Sequence, residues 1–302
     1  MNGIINFFKP PGMTSHDVVQ RLRKELGIKK IGHTGTLDPQ ASGVLPICVG
    51  YATRLAEFIS VSDKTYFCRL KLGIVTSTQD AWGDVLYQTP VKTVCYEDVE
   101  KALSSFRGCI SQRVPAYSAV KLNGEPLYKK ARRGEENIQI FREINIKDLQ
   151  LIDIKGNELS LKISCSKGTY IRTLCHDLGS KLGLGAHMSY LLRIQAGSFH
   201  LKDSITFEKV IKRNPGFLIK PSASILDLPQ ICLDEEESTN IRFGRKIYIP
   251  NDRIQLLSTS NDLQNRAALI DQDNDIVAIA WMRSEPEAEN TFLKPQKVFR
   301  PE

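Results

Sequence analysis

Two strand-patterned runs, Leu149–Ile154 and Leu159–Cys165, are separated by little more than Lys155-Gly156-Asn157. So short a connection turns the chain back beside itself and forces antiparallel pairing, because a parallel crossover needs about a dozen residues or more. The remaining signals do not alternate as a doubly wound sheet requires. Ile4–Phe8 reads as a strand stopped by Lys9-Pro10-Pro11-Gly12. A helix follows, with Ser15 as its expected N-cap, Val18, Val19, Leu22 and Leu26 on one face and Gly27 closing it. Val44–Val49 is a buried strand, Thr53–Ile59 is helical, and Thr65–Leu72 alternates as a strand that Asp84–Gln88 is expected to pair with. Tyr96–Phe106 and Thr169–Leu182 carry helical stripes. The pattern implies an α+β fold with a mixed, mostly antiparallel sheet core and flanking helices.

A chain of 302 residues is long enough for two domains. The patterning breaks between Leu226 and Glu237, at Pro229 and the acids from Asp234. Beyond it, Arg266–Asp271 and Ile276–Met282 read as a hairpin and Pro295–Phe299 as a short further strand, which makes a small β-rich appendage. The expected division is 1–230 and 238–302. Hydrophobic residues at 41% and charged residues at 25% exclude a disordered or fibrous chain. No run reaches the roughly 18 apolar residues of a membrane span, and the start lacks the pattern of a signal peptide, so a cytoplasmic location is expected. Seven cysteines without a Cys-x-x-Cys pair point to free thiols and no metal. Nucleotide-binding glycine loops, a zincin motif and a hydrolase elbow are missing, so no cofactor is expected.

The net charge is +7, and its placement is informative. From Lys101 to Gly134 eight basic residues stand against the single acid Glu125. Tyr117 and Tyr128 interleave with Lys121, Lys129, Lys130, Arg132 and Arg133, the mixture of cations and rings that suits a nucleic acid. A solvated basic loop is the alternative.

The acid in the least ordinary setting is Asp38, preceded by His33 and two glycines and followed by Pro39. Gly35 permits close backbone approach and Pro39 fixes φ, so the loop can hold a carboxylate rigidly, although an Asx turn would use the same residues. Four ordered motifs carry a resemblance: Phe8-Lys9-Pro10-Pro11-Gly12-Met13-Thr14-Ser15; Gly32-His33-Thr34-Gly35-Thr36-Leu37-Asp38-Pro39 with its continuation to Pro46; Lys64-Thr65-Tyr66; and Ser164 to Leu174. Together they resemble the TruB family, the tRNA pseudouridine-55 synthases, over residues 3 to 200 and more weakly beyond.

The resemblance implies a pseudouridine-synthase core, an RNA-binding insertion at about 108–142 and a PUA-like C-terminal domain. It makes Asp38 the catalytic aspartate, Arg172 the arginine that pairs with it and Tyr66 the ring against the target base. His33 would hold the opened RNA loop, and Leu191, or alternatively Leu192, would wall the pocket. Lys9, Tyr170 and the cations of the insertion, Lys121, Lys129, Lys130, Arg132 and Arg133, are expected on the RNA. The implied reaction is a cofactor-free isomerisation of a flipped uridine in the T-loop of tRNA, by a monomer with no obligate protein partner. A guide-RNA-dependent relative acting on ribosomal RNA and a non-catalytic RNA-folding module are the alternatives.

Overall fold

The computed structural model describes residues 1–91, 93–135, 139–213, 216–254, 265–284 and 290–299. The chain forms two compact units, one of residues 1–62 with 196–302 and one of residues 63–195. The first begins with β1 (Gly3–Lys9), α1 (Ser15–Leu26), β2 (Ile31–His33), β3 (Ser42–Val49) and α2 (Ala56–Ser60). All eight residues of β3 are buried, which explains its unbroken apolar run. Strand β1 pairs with it antiparallel, Lys9 opposite Gly43, and β2 pairs with its far end, His33 opposite Ile47. The N-cap of α1 is Thr14 and not Ser15. The Thr14 hydroxyl accepts from the Asp17 amide while the Asp17 carboxylate accepts from the Thr14 amide, a reciprocal box that leaves Ser15 to turn inward. The expected helix at 53–59 divides into a 3-10 turn, Gly50–Leu55, and the short α2.

The second unit holds β4 (Lys64–Leu72), β5 (Ile74–Thr76), β6 (Val85–Gln88), α3 (Tyr96–Ser104), β7 (Gly108–Arg113), β8 (Lys121–Leu122), β9 (Glu125–Pro126) and α4 (Leu127–Ala131). It continues through β10 (Phe141–Lys155), β11 (Glu158–Cys165), α5 (Ile171–Lys181) and β12 (Ala186–Ala196). Its sheet runs β12-β4-β11-β10-β7. The expected hairpin is β10–β11, antiparallel, but β10 starts eight residues earlier than Leu149 and its first half pairs with β7. Strand β6 does not pair with β4. It pairs with β5, a three-residue strand that follows β4 after the left-handed Gly73 at φ 85°.

Residues 196–302 add β13 (Phe199–His200), α6 (Phe207–Ile211), β14 (Gln230–Cys232), α7 (Glu235–Arg242), β15 (Ile247–Pro250), β16 (Arg266–Ile270), β17 (Ile276–Ser284) and β18 (Asn290–Val298). The acids at 234–237 do not simply break the pattern. Asp234 caps α7 by a second reciprocal box with Glu237, where carboxylates favour a helix N-terminus. The last five strands form a sheet in the order β14-β16-β17-β18-β15, in which only β14–β16 is parallel. Its first strand thus begins at Gln230, and the expected short final strand is nine residues long. One face of this sheet packs with Ile241 of α7, and the other joins Ile4, Val44 and Phe58 in one apolar cluster. Among the described residues no helix is long and apolar enough to cross a membrane, and no group of three metal-ligating side chains forms.

Candidate active site and nucleic-acid interface

The Asp38 loop is held from both sides. The β1–β3 register brings Lys9 to the loop's exit, and Lys9 is fully buried. Its ammonium donates to the carbonyls of Pro10 at 2.9 Å, Met13 at 2.6 Å and Pro39 at 2.9 Å. This corrects the expectation of an RNA-contacting lysine: an ammonium taken out of water must place its donors, and here main-chain carbonyls take them. Gly12 adds a main-chain bond to the Pro39 carbonyl at 3.0 Å. On the other side of Asp38, buried Ser15 accepts from the Leu37 amide at 2.9 Å and donates to the Leu37 carbonyl at 3.3 Å. The Asp38 carbonyl accepts from the Ala41 amide at 3.1 Å. Leu37 and Ala41 are buried while Asp38 is half-buried, so a fixed backbone presents a partly open carboxylate. The glycine with left-handed backbone is Gly43, at φ 112°, and not Gly35. His33 ends β2, one residue before Thr34, whose amide bonds the Pro46 carbonyl at 3.1 Å.

In the second unit, β4 alternates strictly from Tyr66 onward, with Tyr66, Cys68, Leu70 and Leu72 all buried. The buried, free thiols of Cys68 and Cys175 of α5 hydrogen-bond, so Tyr66 shares the sheet face that α5 covers. Phe67 points the other way and meets Tyr190 edge-on at 6.3 Å. Strand alternation then puts Leu191, which is buried, on the Tyr66 face and Leu192 on the opposite one. Tyr66 stands opposite Ile163, and β11 ends two residues later at Cys165, so the chain enters α5 at Tyr66's end of the sheet.

Tyr170 is the N-cap of α5 and Arg172 its second residue. Arg172 is buried, and its guanidinium donates to the Thr78 carbonyl at 2.9 Å and the Tyr117 carbonyl at 3.1 Å. The Asp80 carboxylate lies 3.8 Å away and is itself fixed, accepting from the Thr78 hydroxyl at 2.6 Å and the Trp82 amide at 3.1 Å. Thr173 donates to the Gln79 side chain at 2.9 Å, and Gln79 holds a left-handed φ of 64°. Sequence reasoning reads this segment as a connecting loop rich in Thr, Gln and Gly but gives it no part in the site; the cue was the polar run Ser77-Thr78-Gln79-Asp80 before a glycine. Burial pushes the Lys64 ammonium down to about 8, helped by the charge of Arg193, and pushes the Cys165 thiol up to about 12.

The basic insertion projects between β7 and β10, which pair Arg113 with Phe141. Residues 136–138 lie outside the described part. Asn123 and Gly124, both at positive φ, turn β8 into β9, and α4 anchors itself through buried Leu127 and Ala131. The five expected cations divide. Arg133 forks onto Glu125 at 2.6 and 2.8 Å and reaches Glu135 at 3.1 Å, and Lys130 lies 3.5 Å from Glu135. Glu135, just past the basic window of the sequence, accounts for much of this pairing. Lys121, Lys129 and Arg132 are exposed, and Arg132 sits 5.7 Å over the Tyr128 ring.

These features describe an enzyme with a fixed carboxylate and a basic, ring-bearing surface. The family model for the TruB family pseudouridylate synthase N-terminal domain matches residues 23–171, and the model for the tRNA pseudouridylate synthase B C-terminal domain matches residues 172–214. The chain is 52% identical over 212 residues to the tRNA pseudouridine synthase B of Clostridioides difficile, covering 70% of each chain. To its counterpart in Pelotomaculum thermopropionicum it is 40% identical, over 99% of this chain and 97% of that one. A solved chain from an H/ACA RNP bound to a substrate RNA containing 2'-deoxyuridine superposes with a TM-score of 0.76 at 25% identity, covering 99% of this chain and 85% of that one. The chain belongs to the TruB family of pseudouridylate synthases.

Proposed function

We propose that the protein isomerises uridine 55 in the T-loop of tRNA to pseudouridine, with Asp38 as the essential carboxylate. The observation that carries this reading is the pinned, half-buried Asp38 inside Gly32 to Pro46, bracketed by Ser15 on one side and Lys9 on the other. The reaction breaks the C1′–N1 bond, turns the detached uracil and joins C5 to C1′; the C5 proton leaves and N1 takes one up, so the step is an isomerisation with no net redox change. Asp38 serves either as a nucleophile or as a base toward the C2′ proton, and both roles need an ionised carboxylate. Arg172 supplies a guanidinium that serves the reaction. Tyr66 packs on the base with Leu191 as an apolar wall, and His33 and Tyr170 face the opened loop. The target must leave its stack, at a cost of a few kcal/mol that an already distorted loop lowers.

Lys121, Lys129 and Arg132 take phosphate, and residues 238–302 extend the contact along the tRNA arm. The chain works as a cytoplasmic monomer without an obligate protein partner or cofactor. A relative named tRNA pseudouridine synthase B matches nearly the whole chain at 40% identity, which favours this reading over a guide-RNA-dependent one. Mass-spectrometric mapping of an unmodified tRNA transcript after treatment with the purified protein should find one new pseudouridine, in the T-loop, without added guide RNA or metal. A dependence on guide RNA would replace the reading.

A further inference from the structure

The second residue of α5 is Arg172, and its direction depends on how the chain enters that helix. The entry residue, Tyr170, receives no cap from its own side chain. Its main chain is instead held by Gln112, the fifth residue of β7, which is only 3% exposed. The Tyr170 amide donates to Gln112 Oε1 at 2.8 Å, and Gln112 Nε2 donates to the Tyr170 carbonyl at 3.0 Å. One side-chain amide thus matches both polar groups of one residue, as a neighbouring strand would, and fixes its position in two directions. Neither Asn, which is a methylene shorter, nor Glu, which has no donor when ionised, can repeat this.

Gln112 also lies on the strand that leads into the basic insertion. Five residues on, the Tyr117 carbonyl accepts from Arg172 Nη2 at 3.1 Å. The start of α5 is therefore tied to the root of the insertion at three hydrogen bonds, two through Gln112 and one through Tyr117. The mechanism proposed for Asp38 does not use Gln112, and no motif or periodicity distinguishes it from its neighbours in β7.

We propose that Gln112 is a positioning residue: it sets the entry of α5, aims the Arg172 guanidinium, and makes that aim depend on the seating of the RNA-binding insertion. The proposal rests on the function stated above, in which Arg172 serves the reaction. A side chain that only stabilised the fold would move melting temperature and leave the turnover of the folded fraction intact. A positioning residue moves turnover in protein that remains folded.

The test compares wild type, Gln112→Met, Gln112→Glu, Arg172→Lys and the double variant Gln112→Met/Arg172→Lys in single-turnover assays on a T-arm stem-loop, with RNA affinity and far-UV circular dichroism alongside. Gln112→Met keeps the shape and removes both bonds. Gln112→Glu keeps the acceptor for the Tyr170 amide and, when its buried carboxyl holds a proton, a donor for the Tyr170 carbonyl, so it gives a second, milder variant if the first folds poorly. A displacement of the arginine by about an ångström should cost roughly 100-fold in rate with affinity changed less than about threefold. Gln112→Glu should fall between Gln112→Met and wild type. The double variant should be little slower than Arg172→Lys alone, because the two residues act as one unit. Full turnover in folded Gln112→Met, or strictly additive losses in the double variant, would overturn the proposal. An inactive wild-type protein would instead overturn the functional reading on which it rests.

Discussion

The Asp38 loop and the basic insertion are both irregular segments, yet they are built on opposite plans. Around Asp38 the neighbouring main chain is fixed by buried donors and acceptors, from Ser15 at Leu37 to Lys9 at Pro39. The insertion stands on two paired strands and a single short helix, and exposed ion pairs among Arg133, Lys130, Glu125 and Glu135 set its surface. Chemistry at one carbon needs a carboxylate placed to a fraction of an ångström, whereas phosphate binding tolerates adjustment. The contrast teaches that a lysine's role follows from its surroundings: Lys9 is structural because it is dry, and Lys129 is available to bind because it is wet.

The largest effect short of losing the carboxylate itself should come from the arginine. Arg172→Lys keeps a charge but cannot span the Thr78 and Tyr117 carbonyls in one planar fork, so turnover should fall roughly 100-fold while RNA affinity holds. Single-turnover rates at saturating RNA measure it. A loss confined to KM would move Arg172 from the chemistry to binding.

Lys9→Met should act on the loop's framework. It leaves buried carbonyls short of a partner, and the protein should lose about 2 kcal/mol of unfolding free energy, read from urea denaturation. The salt dependence of RNA binding should stay unchanged, since Lys9 reaches no phosphate. A flattened salt slope would show instead that Lys9 belongs with the insertion's cations.

Much of this was legible in the sequence, and the failures share a cause. Strong alternation and caps located β1, α1, β3, β4 and α5 to within a few residues. The first half of β10 was missed because Arg142, Glu143, Asn145 and Lys147 hide the buried Ile144 and Ile146, and its partner β7 reads as polar. The candidates Tyr66, Arg172 and Leu191 came from motif resemblance, but Ser15 and Gln112 act through hydrogen bonds to distant main chain, and Asp80 meets Arg172 across a long sequence separation. Such pairings follow from register and leave no periodic trace. The cations were counted correctly, yet Glu135 lay one residue outside the window and its pairing with Arg133 depends on the turn at Gly134.

A smaller effect concerns pH. Lys64 titrates near 8 when folded and near 10.5 when exposed, so the unfolded chain binds more protons between those values. The group therefore costs stability below pH 8 and relieves that cost as pH rises toward 10.5, at up to about 1.4 kcal/mol per pH unit. Buried Cys48 and Cys165, both pushed up to about 12, work in the opposite sense above pH 9. The comparison to make is thus the slope of unfolding free energy against pH in wild type minus that in Lys64→Met. It should be positive between pH 8 and 10, and a zero difference would remove the buried ammonium from the account.

The mildest changes should fall within the insertion. Neutralising Lys129 and Arg132 should flatten the salt dependence of RNA binding by up to about 0.9 log unit for each duplex phosphate that a cation no longer neutralises. Neutralising Lys130 and Arg133 should flatten it less, because their charges already face Glu125 and Glu135. Equal slopes for the two pairs would mean that RNA displaces the internal ion pairs on binding.

The central claim is that the rigid loop exists to present one carboxylate to a uridine. Asp38→Asn preserves size and leaves the main-chain bonds of Leu37, Pro39 and Ala41 in place, so the variant should fold and bind a T-arm stem-loop as wild type does. Tritium release from [5-³H]-uridine tRNA under single-turnover conditions is the direct measurement. Binding should stay at wild-type affinity while the rate falls about 10³-fold or more. Release near the wild-type rate would reduce Asp38 to an Asx turn and contradict the active-site assignment.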